Sequence, residues 1–398
     1  MECAAETPTS PLVDIEKPNL LPRLDLSEVL DEQVCLKFEK CFLANLKRKL
    51  GMTYGEIARE LGLHRVYVGH IFRGRYPLKI FFLKKLGISP SEIWEEINAF
   101  GLDGSKKEFQ LPRQIPLTAE FAWLLGYWLG DKNSANDGVG VTDTSPIVLS
   151  EFVRVLEKLG INRNGLRVYV DYRGAPDFDY IAKHLKIPKE NFVHVSRTCK
   201  TLTVTVMFYS RLWARIFSKI AEKVGILLDN APPNVKGAFV GGFIDAEGDC
   251  KNNIMIGQAS MGPLVVVTKI LRDLGFKVEK IKFSHHLFYV NISPIGGALS
   301  EFLKFIKLVN PRKRKDAEHL IYHVKHLRRE RILSSQIIGF MEKTGCITIK
   351  DAAKKFNLPY HTAKYAFQRL RKRGLIRKVG KKEKLILFSL VGAQKTYR

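Results

Sequence analysis

The chain lacks the marks of several large protein classes. Its 398 residues contain no apolar run approaching the ~18 residues that a membrane-spanning helix needs. The six cysteines (Cys3, Cys35, Cys41, Cys199, Cys250 and Cys346) are scattered without a CxxC pair. That argues against a disulfide framework or a zinc ribbon and fits a reducing cytosol. Met1-Glu2-Cys3 is acidic and no apolar h-region follows, so no secretory signal is expected. Neither a P-loop of the GxxxxGKS/T type nor a GxSxG nucleophile elbow occurs. Acids are also in short supply: 40 Asp and Glu stand against 65 Lys and Arg, a net charge of +25. Hydrophobic residues at 45% and aromatics at 10% are enough for sizeable cores, which excludes global disorder. What remains is a soluble, multidomain, cytoplasmic (nucleoid-associated) protein, expected to be a monomer whose charge suits a polyanion, above all nucleic acid.

The charge is uneven. Residues 1–34 carry eight acids and two bases, and with four prolines this stretch is expected to be a mostly disordered acidic arm. Residues 35–100 read as a helix-turn-helix domain. Thr53-Tyr54-Gly55-Glu56 is a capping box, Gly62 stops the helix it opens, and a short basic helix from His64 to Phe72 follows. Arg65, His70, Arg73 and Arg75 are its candidate DNA contacts. Residues 331–398 carry seventeen bases and three acids. Three helices and a hairpin are expected there, a pattern that resembles a winged helix. His361, Lys364, Gln368 and Arg371 would line its recognition helix, and Lys381 and Lys382 its wing, where they would contact phosphates. Between these parts, Pro311 and the run Arg312–Lys315 are expected to close the central region, with 311–330 a basic linker helix.

The central region repeats. One unit contains Phe121-Ala122-Trp123-Leu124-Leu125-Gly126-Tyr127-Trp128-Leu129-Gly130-Asp131, the other Ala238-Phe239-Val240-Gly241-Gly242-Phe243-Ile244-Asp245-Ala246-Glu247-Gly248. Their acids, Asp131 and Glu247, are 116 residues apart. Each unit continues with a strand, an amphipathic helix, two strands and a closing helix, the second closing helix being expected over Gly296–Ile306. An insertion around Pro176–Arg197 interrupts the first. Gly126 and Gly130 share a helix face, as do Gly242 and Ala246, and small residues at that spacing let two helix backbones approach closely. Packed so, the helices would bring Asp131 and Glu247 together at their C-terminal ends. The helix dipole disfavours a carboxylate there by roughly 0.3–1 kcal/mol, and the two acids also repel. A shared divalent cation, with oxygen ligands suited to Mg²⁺, would offset both costs. Beside DNA it could activate a water and stabilise the leaving 3′ oxygen.

On these residues, Val240–Gly248 resembles the LAGLIDADG motif and Leu124–Lys132 a more diverged copy. The chain resembles a single-chain, two-repeat LAGLIDADG homing endonuclease of the archaeal type over about residues 115–310. The resemblance implies an α+β fold with two αββαββα repeats, 115–230 and 231–310, in a pseudo-twofold saddle whose sheets lie in the major groove. It implies a site-specific double-stranded DNA endonuclease leaving short 3′ overhangs, with Asp131 and Glu247 as the catalytic, Mg²⁺-binding acids. Lys132 stands where the family usually has Gly. Gln258, or Asp143 or Thr144, matches the polar strand residue of the family, and Lys251, Lys280, Lys282 or Arg211 are the open choices for its basic residue. Unlike an intein, the chain starts with neither Cys nor Ser and ends Thr396-Tyr397-Arg398, so a free-standing protein is expected. The alternative readings are a domesticated DNA-binding regulator with weak or lost cleavage and, third, an RNA maturase.

Overall fold

The computed structural model describes residues 21–131, 137–196, 199–251, 253–293, 297–358, 360–382 and 385–391, with backbone alone for 196, 297–298, 323–332, His361 and Lys382. The chain folds as two compact units that divide between Ala317 and Glu318. Among the described residues no helix is long and apolar enough to cross a membrane.

The first unit opens with β1 (Arg23–Asp25), β2 (Val34–Phe38), α1 (Lys40–Leu50), α2 (Tyr54–Leu61), α3 (Arg65–Phe72), β3 (Leu78–Lys79), α4 (Ile80–Lys85), β4 (Ile97–Leu102) and β5 (Gln114–Pro116). The expectation of a disordered arm up to residue 34 fails for its second part, residues 1–20 lying outside the described residues. β1 pairs with β5, and Leu24, Leu26, Val29 and Leu30 are buried. The acids between these apolar positions find bases: Asp25 meets Arg113, Asp31 meets Arg215 and Glu32 meets Lys84. An acidic composition does not prevent folding when the intervening residues are apolar and the docking surface is basic. Thr53 Oγ1 accepts from the Glu56 amide at 3.3 Å while Glu56 Oε2 accepts from the Thr53 amide at 2.6 Å. Gly62 ends α2 at φ +68°, the left-handed conformation that glycine adopts without strain. This module is not a separate body. Arg215 Nη1 reaches Asp31 at 2.9 Å, Lys107 Nζ donates to the Tyr209 carbonyl at 2.6 Å, and Phe109 packs edge-on against Phe208 and Trp213.

The first repeat follows as α5 (Ala119–Asp131), β6 (Gly138–Asp143), α6 (Pro146–Lys158), β7 (Leu166–Asp171), α7 (Phe178–Leu185), β8 (Phe192–Ser196), β9 (Thr203–Tyr209) and α8 (Arg211–Asp229). The second is α9 (Pro233–Glu247), β10 (Gly248–Asp249), β11 (Ile254–Gln258), α10 (Met261–Asp273), β12 (Lys282–Ser284), β13 (Leu287–Ile292) and α11 (Phe302–Phe305). Their sheets run β6-β9-β7-β8 and β10-β11-β13-β12. Period-two alternation buries one face of each: Val168 and Val170 of β7 and Ile254 and Ile256 of β11 point to the core. The insertion in the first repeat is α7 and β8, and β8 adds to the sheet edge parallel to β7.

Two expectations are corrected after β13. The closing helix over Gly296–Ile306 is only a 3₁₀ stretch, Gly297–Glu301, and the single turn of α11. Gly237 and Gly241 leave no side chain between α9 and the segment 305–307, whose carbonyl oxygens occupy the space of the missing Cβ atoms. The chain therefore runs tight along α9 instead of forming a longer amphipathic helix. Pro311, expected to close the region, instead begins α12 (Pro311–Thr344), which is continuous over 34 residues. A first-turn proline has no amide to satisfy, and Asn310 Oδ1 caps the turn by accepting from the amides of Arg312 (3.1 Å) and Lys313 (3.3 Å). The helix expected over 311–330 and the one expected from Leu333 are thus parts of one element.

The second unit contains the end of α12, β14 (Cys346–Thr348), α13 (Ile349–Lys355), α14 (Tyr360–Lys372), β15 (Ile376–Lys382) and β16 (Leu385–Leu390). The sheet order is β14-β16-β15. Ile337, Met341, Ile347, Phe367, Leu370 and Phe388 form its core. Thr348 and Asp351 make a second capping box at α13.

The centre of the first unit is the contact of α5 with α9. A Cβ on Gly126 would overlap the Phe239 carbonyl oxygen, and one on Gly242 would overlap that of Trp123. Gly126 and Gly242, like Trp123 and Phe239, are 116 residues apart, so the contact is reciprocal and defines a local pseudo-twofold. Gly126→Ala or Gly242→Ala must push the helices apart and is expected to cost about 3 kcal/mol or more, at the upper end of overpacking. Gly69→Ala in α3, where an added methyl meets nothing within 4 Å, is expected to gain up to about 1 kcal/mol. Thermal denaturation of the three variants checks both signs.

Candidate metal centre at the paired helix ends

Asp131 is the last residue of α5 and Glu247 the last of α9. Between the two ends, Gly130 is so close to the second helix that a Cβ on it would stand 2.5 Å from the Ala246 Cβ and 3.6 Å from the Glu247 Cγ. Asp131 Oδ2 accepts from the Thr142 amide of β6 at 2.8 Å, which fixes one carboxylate oxygen. Burial pushes the Asp131 carboxyl up, and the charges of Glu247 and Asp143 push it further, to about 7, although the Thr142 amide and Lys313 oppose the rise. Burial also raises Glu247, with Lys313 pulling the other way. Two half-desolvated carboxylates that resist ionising together are the donor set a hard divalent cation relieves. Among the described residues no group of three or more His, Cys, Asp or Glu side chains could hold a metal. Among the described residues the ends of α5 and α9 thus present a pair of carboxylates, and a cation held there would need water or phosphate oxygens to complete its shell.

The two helix C-termini are capped by different groups. Gln258, the last residue of β11, crosses to the other repeat and donates through Nε2 to the carbonyls of Gly130 (2.9 Å) and Leu129 (3.3 Å). The last residue of the corresponding strand in the first repeat is Asp143. A carboxylate cannot donate to carbonyls, and Asp143 instead accepts from Tyr127 Oη at 2.7 Å and from the Ser145 amide at 2.8 Å. The end of α9 is served by Lys313. Its ammonium, on a residue 8% exposed, donates to the carbonyls of Ile244 (2.9 Å), Asp245 (2.6 Å) and Ala246 (3.1 Å). Burial lowers the Lys313 ammonium, while Asp245 and Asp143 hold it up. A cation at a helix C-terminus is stabilised by the dipole, so Lys313 offsets part of the cost of the acids.

Asp245 locks this arrangement. Its Oδ2 accepts from Trp123 Nε1 of α5 (2.9 Å) and from the Val309 amide (2.8 Å), and its Oδ1 from the Asn310 amide (3.1 Å). One buried carboxylate thus joins both motif helices to the start of α12. Burial raises it to about 6 against those three donors.

Sequence reasoning missed Lys313 and Asp245 as site residues. The candidates it did name scatter. Gln258 and Asp143 lie at the helix ends. Lys251 is exposed, and its amide donates to Asp249. Lys282 is exposed on β12 and paired with Glu279 at 2.9 Å. The base whose charge acts on both acids, Lys313, comes from beyond both repeats. Lys132 lies outside the described residues. In the first unit Arg65, Arg73 and Arg75 are exposed around α3, and His70 packs edge-on to Tyr76 at 5.5 Å. In the second unit Lys364, Gln368 and Arg371 are exposed on α14 and Lys381 on β15, while the side chains of His361 and Lys382 lie outside the described residues.

No protein-family model matches the chain, and no curated protein matches it. Among solved structures, a variant of I-DmoI in complex with its target DNA in the presence of Mn is similar, with 17% identity over 50% of this chain and 97% of that one and a TM-score of 0.31. A structure of mesophilic variants from the homing endonuclease I-DmoI gives 18%, 48%, 93% and 0.31. I-DmoI in complex with DNA and Ca gives 18%, 48%, 87% and 0.31. Similarity of this size does not assign the chain to a family.

The raised Asp131 carboxyl has a consequence for stability. Between its unfolded value near 4 and its folded value of about 7, the native state binds more protons than the unfolded chain. Without a divalent cation, stability therefore falls as pH rises through that window. Asp131→Asn should flatten this slope and stabilise the metal-free protein at about pH 8 by on the order of 1–2 kcal/mol. Melting across pH for both proteins is the measurement, and an unchanged slope would contradict the burial argument. Lys313→Met removes the side-chain donor from the Asp245 and Ala246 carbonyls, the Ile244 carbonyl keeping the Gly248 amide, and is expected to cost about 2–4 kcal/mol by the same measurement.

Proposed function

We propose that the chain is a divalent-metal-dependent, site-specific endonuclease of double-stranded DNA, of the homing type, acting as a monomer. The observation that carries this reading is the pairing of Asp131 and Glu247 at the ends of two helices in reciprocal contact, both raised by burial. Folding alone does not favour two acids at that place, and a reaction that needs a metal between two DNA strands does. A cation held there would supply a water of lowered pKa and charge stabilisation for a leaving 3′ oxygen. The chain's own residues position the acids: the Thr142 amide holds Asp131, while Gln258 and Lys313 hold the helix ends. Mg²⁺ is the natural cation for two carboxylates completed by water and phosphate. In this reading each repeat's sheet covers one half-site in the major groove. Arg65, Arg73 and Arg75, and separately Lys364, Gln368, Arg371 and Lys381, extend the phosphate contacts.

A regulator that binds without cutting is the second reading. It is favoured by Lys313, whose three ammonium protons all go to carbonyls, and by the pairing of Lys282 with Glu279.

One assay separates the two readings. The substrate is a plasmid carrying the gene's own flanks joined without the insert. Wild type in Mg²⁺ should cut at one site. Asp131→Ala and Glu247→Ala should each lower cutting by at least about a hundredfold and leave duplex affinity within a few-fold. Site protection without cutting, in Mg²⁺ and Mn²⁺ alike, would establish the regulator instead. Affinity should also fall steeply with salt, with a log–log slope of about −5 or steeper, and a flat dependence would refute the DNA-binding reading.

A further inference from the structure

The outward face of the first repeat's sheet has an unusual chemistry for a chain of this charge. The four strands β6, β7, β8 and β9 hold a single Lys or Arg, Arg167, against a chain total of 65. What faces outward is hydroxyl, methyl and ring. Thr142 and Thr205 share a hydrogen bond between hydroxyls at 2.8 Å, and so do Tyr169 and Tyr209 at 2.8 Å. Val193 lies beside Tyr169 in the β7–β8 register. Val193 is 43% exposed and Val195 60%. The acid on this face, Asp171, is engaged by the amide and thiol of Cys199.

This face is continuous with the metal centre. Thr142 holds Asp131 through its amide and joins the outward row through its hydroxyl. A duplex whose backbone reaches Asp131 must therefore pass over Thr142, Thr205 and the strands beyond. With the acid pair at one end of this row, the DNA-binding reading above makes a duplex the occupant of the face.

The chemistry of the face then selects among base pairs. In the major groove guanine is read by the fork of Arg or by Lys, and adenine by Asn or Gln. The one apolar group on any base edge is the thymine C5 methyl. A face of exposed valine methyls, tyrosine rings and hydroxyls suits thymine, and its one guanidinium, Arg167, already donates to Asn191 Oδ1 at 3.4 Å. We infer that the first repeat's sheet selects a thymine-rich half-site by packing Val193 and Val195 against thymine methyls. This rests on the DNA-binding reading above.

The test selects binding sites for the full-length protein from random duplexes without divalent metal, then compares selected duplexes with copies carrying deoxyuridine for thymidine. That change removes the C5 methyl and nothing else. One half of the site should be thymine-rich, and each methyl removed from it should weaken binding by about fourfold. The exposed double variant Val193→Ser/Val195→Ser should bind thymine and deoxyuridine duplexes within about twofold of each other in that half, with the other half unchanged. A selected site rich in G·C in both halves, or equal affinity for deoxyuridine copies, or a penalty that survives in the double variant, overturns the inference while DNA binding stands. No enrichment and no duplex binding at all would instead overturn the proposed function itself.

Discussion

The first unit depends on one contact, the approach of the α5 and α9 backbones at Gly126 and Gly242. Dispersion and burial act at short range, and only the absence of two Cβ atoms lets each helix place a carbonyl where the other's side chain would be. The reciprocity of that contact sets the relation of the two repeats, and hence the position of each sheet about the pseudo-twofold. It also decides where the acids go. Once Gly126 meets Phe239 and Gly242 meets Trp123, the last residues of the two helices stand side by side.

That position is electrostatically poor, and the surrounding structure compensates in two different ways. In the first repeat the C-terminal carbonyls of α5 receive the neutral amide of Gln258. In the second they receive the ammonium of Lys313. The difference follows from one substitution between repeats, an acid at Asp143 where the other copy has an amide. An acceptor cannot cap an acceptor, so a donor must be brought from elsewhere, and the first turn of α12 brings it. Asp245 makes that turn part of the centre by binding the amides of Val309 and Asn310. The first turn of α12 is therefore a component of the acid pair's support.

Much of the architecture was legible in sequence because it is written in local rules. The capping box at Thr53, the glycine stop at Gly62 and the small residues at Gly126, Gly130, Gly242 and Ala246 are short-range patterns. The structure forms the corresponding elements at those places. The errors arose where a local rule gave way to a tertiary partner. Acidity around residues 25–32 suggested an arm, yet the bases that dock it lie on α8, on α4 and next to β5, at Arg215, Lys84 and Arg113. Pro311 read as an end because proline breaks helices, yet at the first position it starts one. The run Arg312–Lys315 read as the close of the central region, yet Lys313 turns inward to three carbonyls.

The sequence by itself determined that the chain holds two copies of one unit, that each copy carries a small-residue helix ending in an acid, and that the whole is strongly basic. Those are properties of residue order and count, carried by interactions within a few residues of chain. Which groups complete the centre was decided only by the tertiary structure. Gln258 stands 128 residues from Gly130, and Lys313 stands 68 from Asp245. A lysine's three donors have no periodicity to betray their acceptors. A solvated surface base and a buried helix cap are the same letter, and burial against the end of α9 is what distinguishes them.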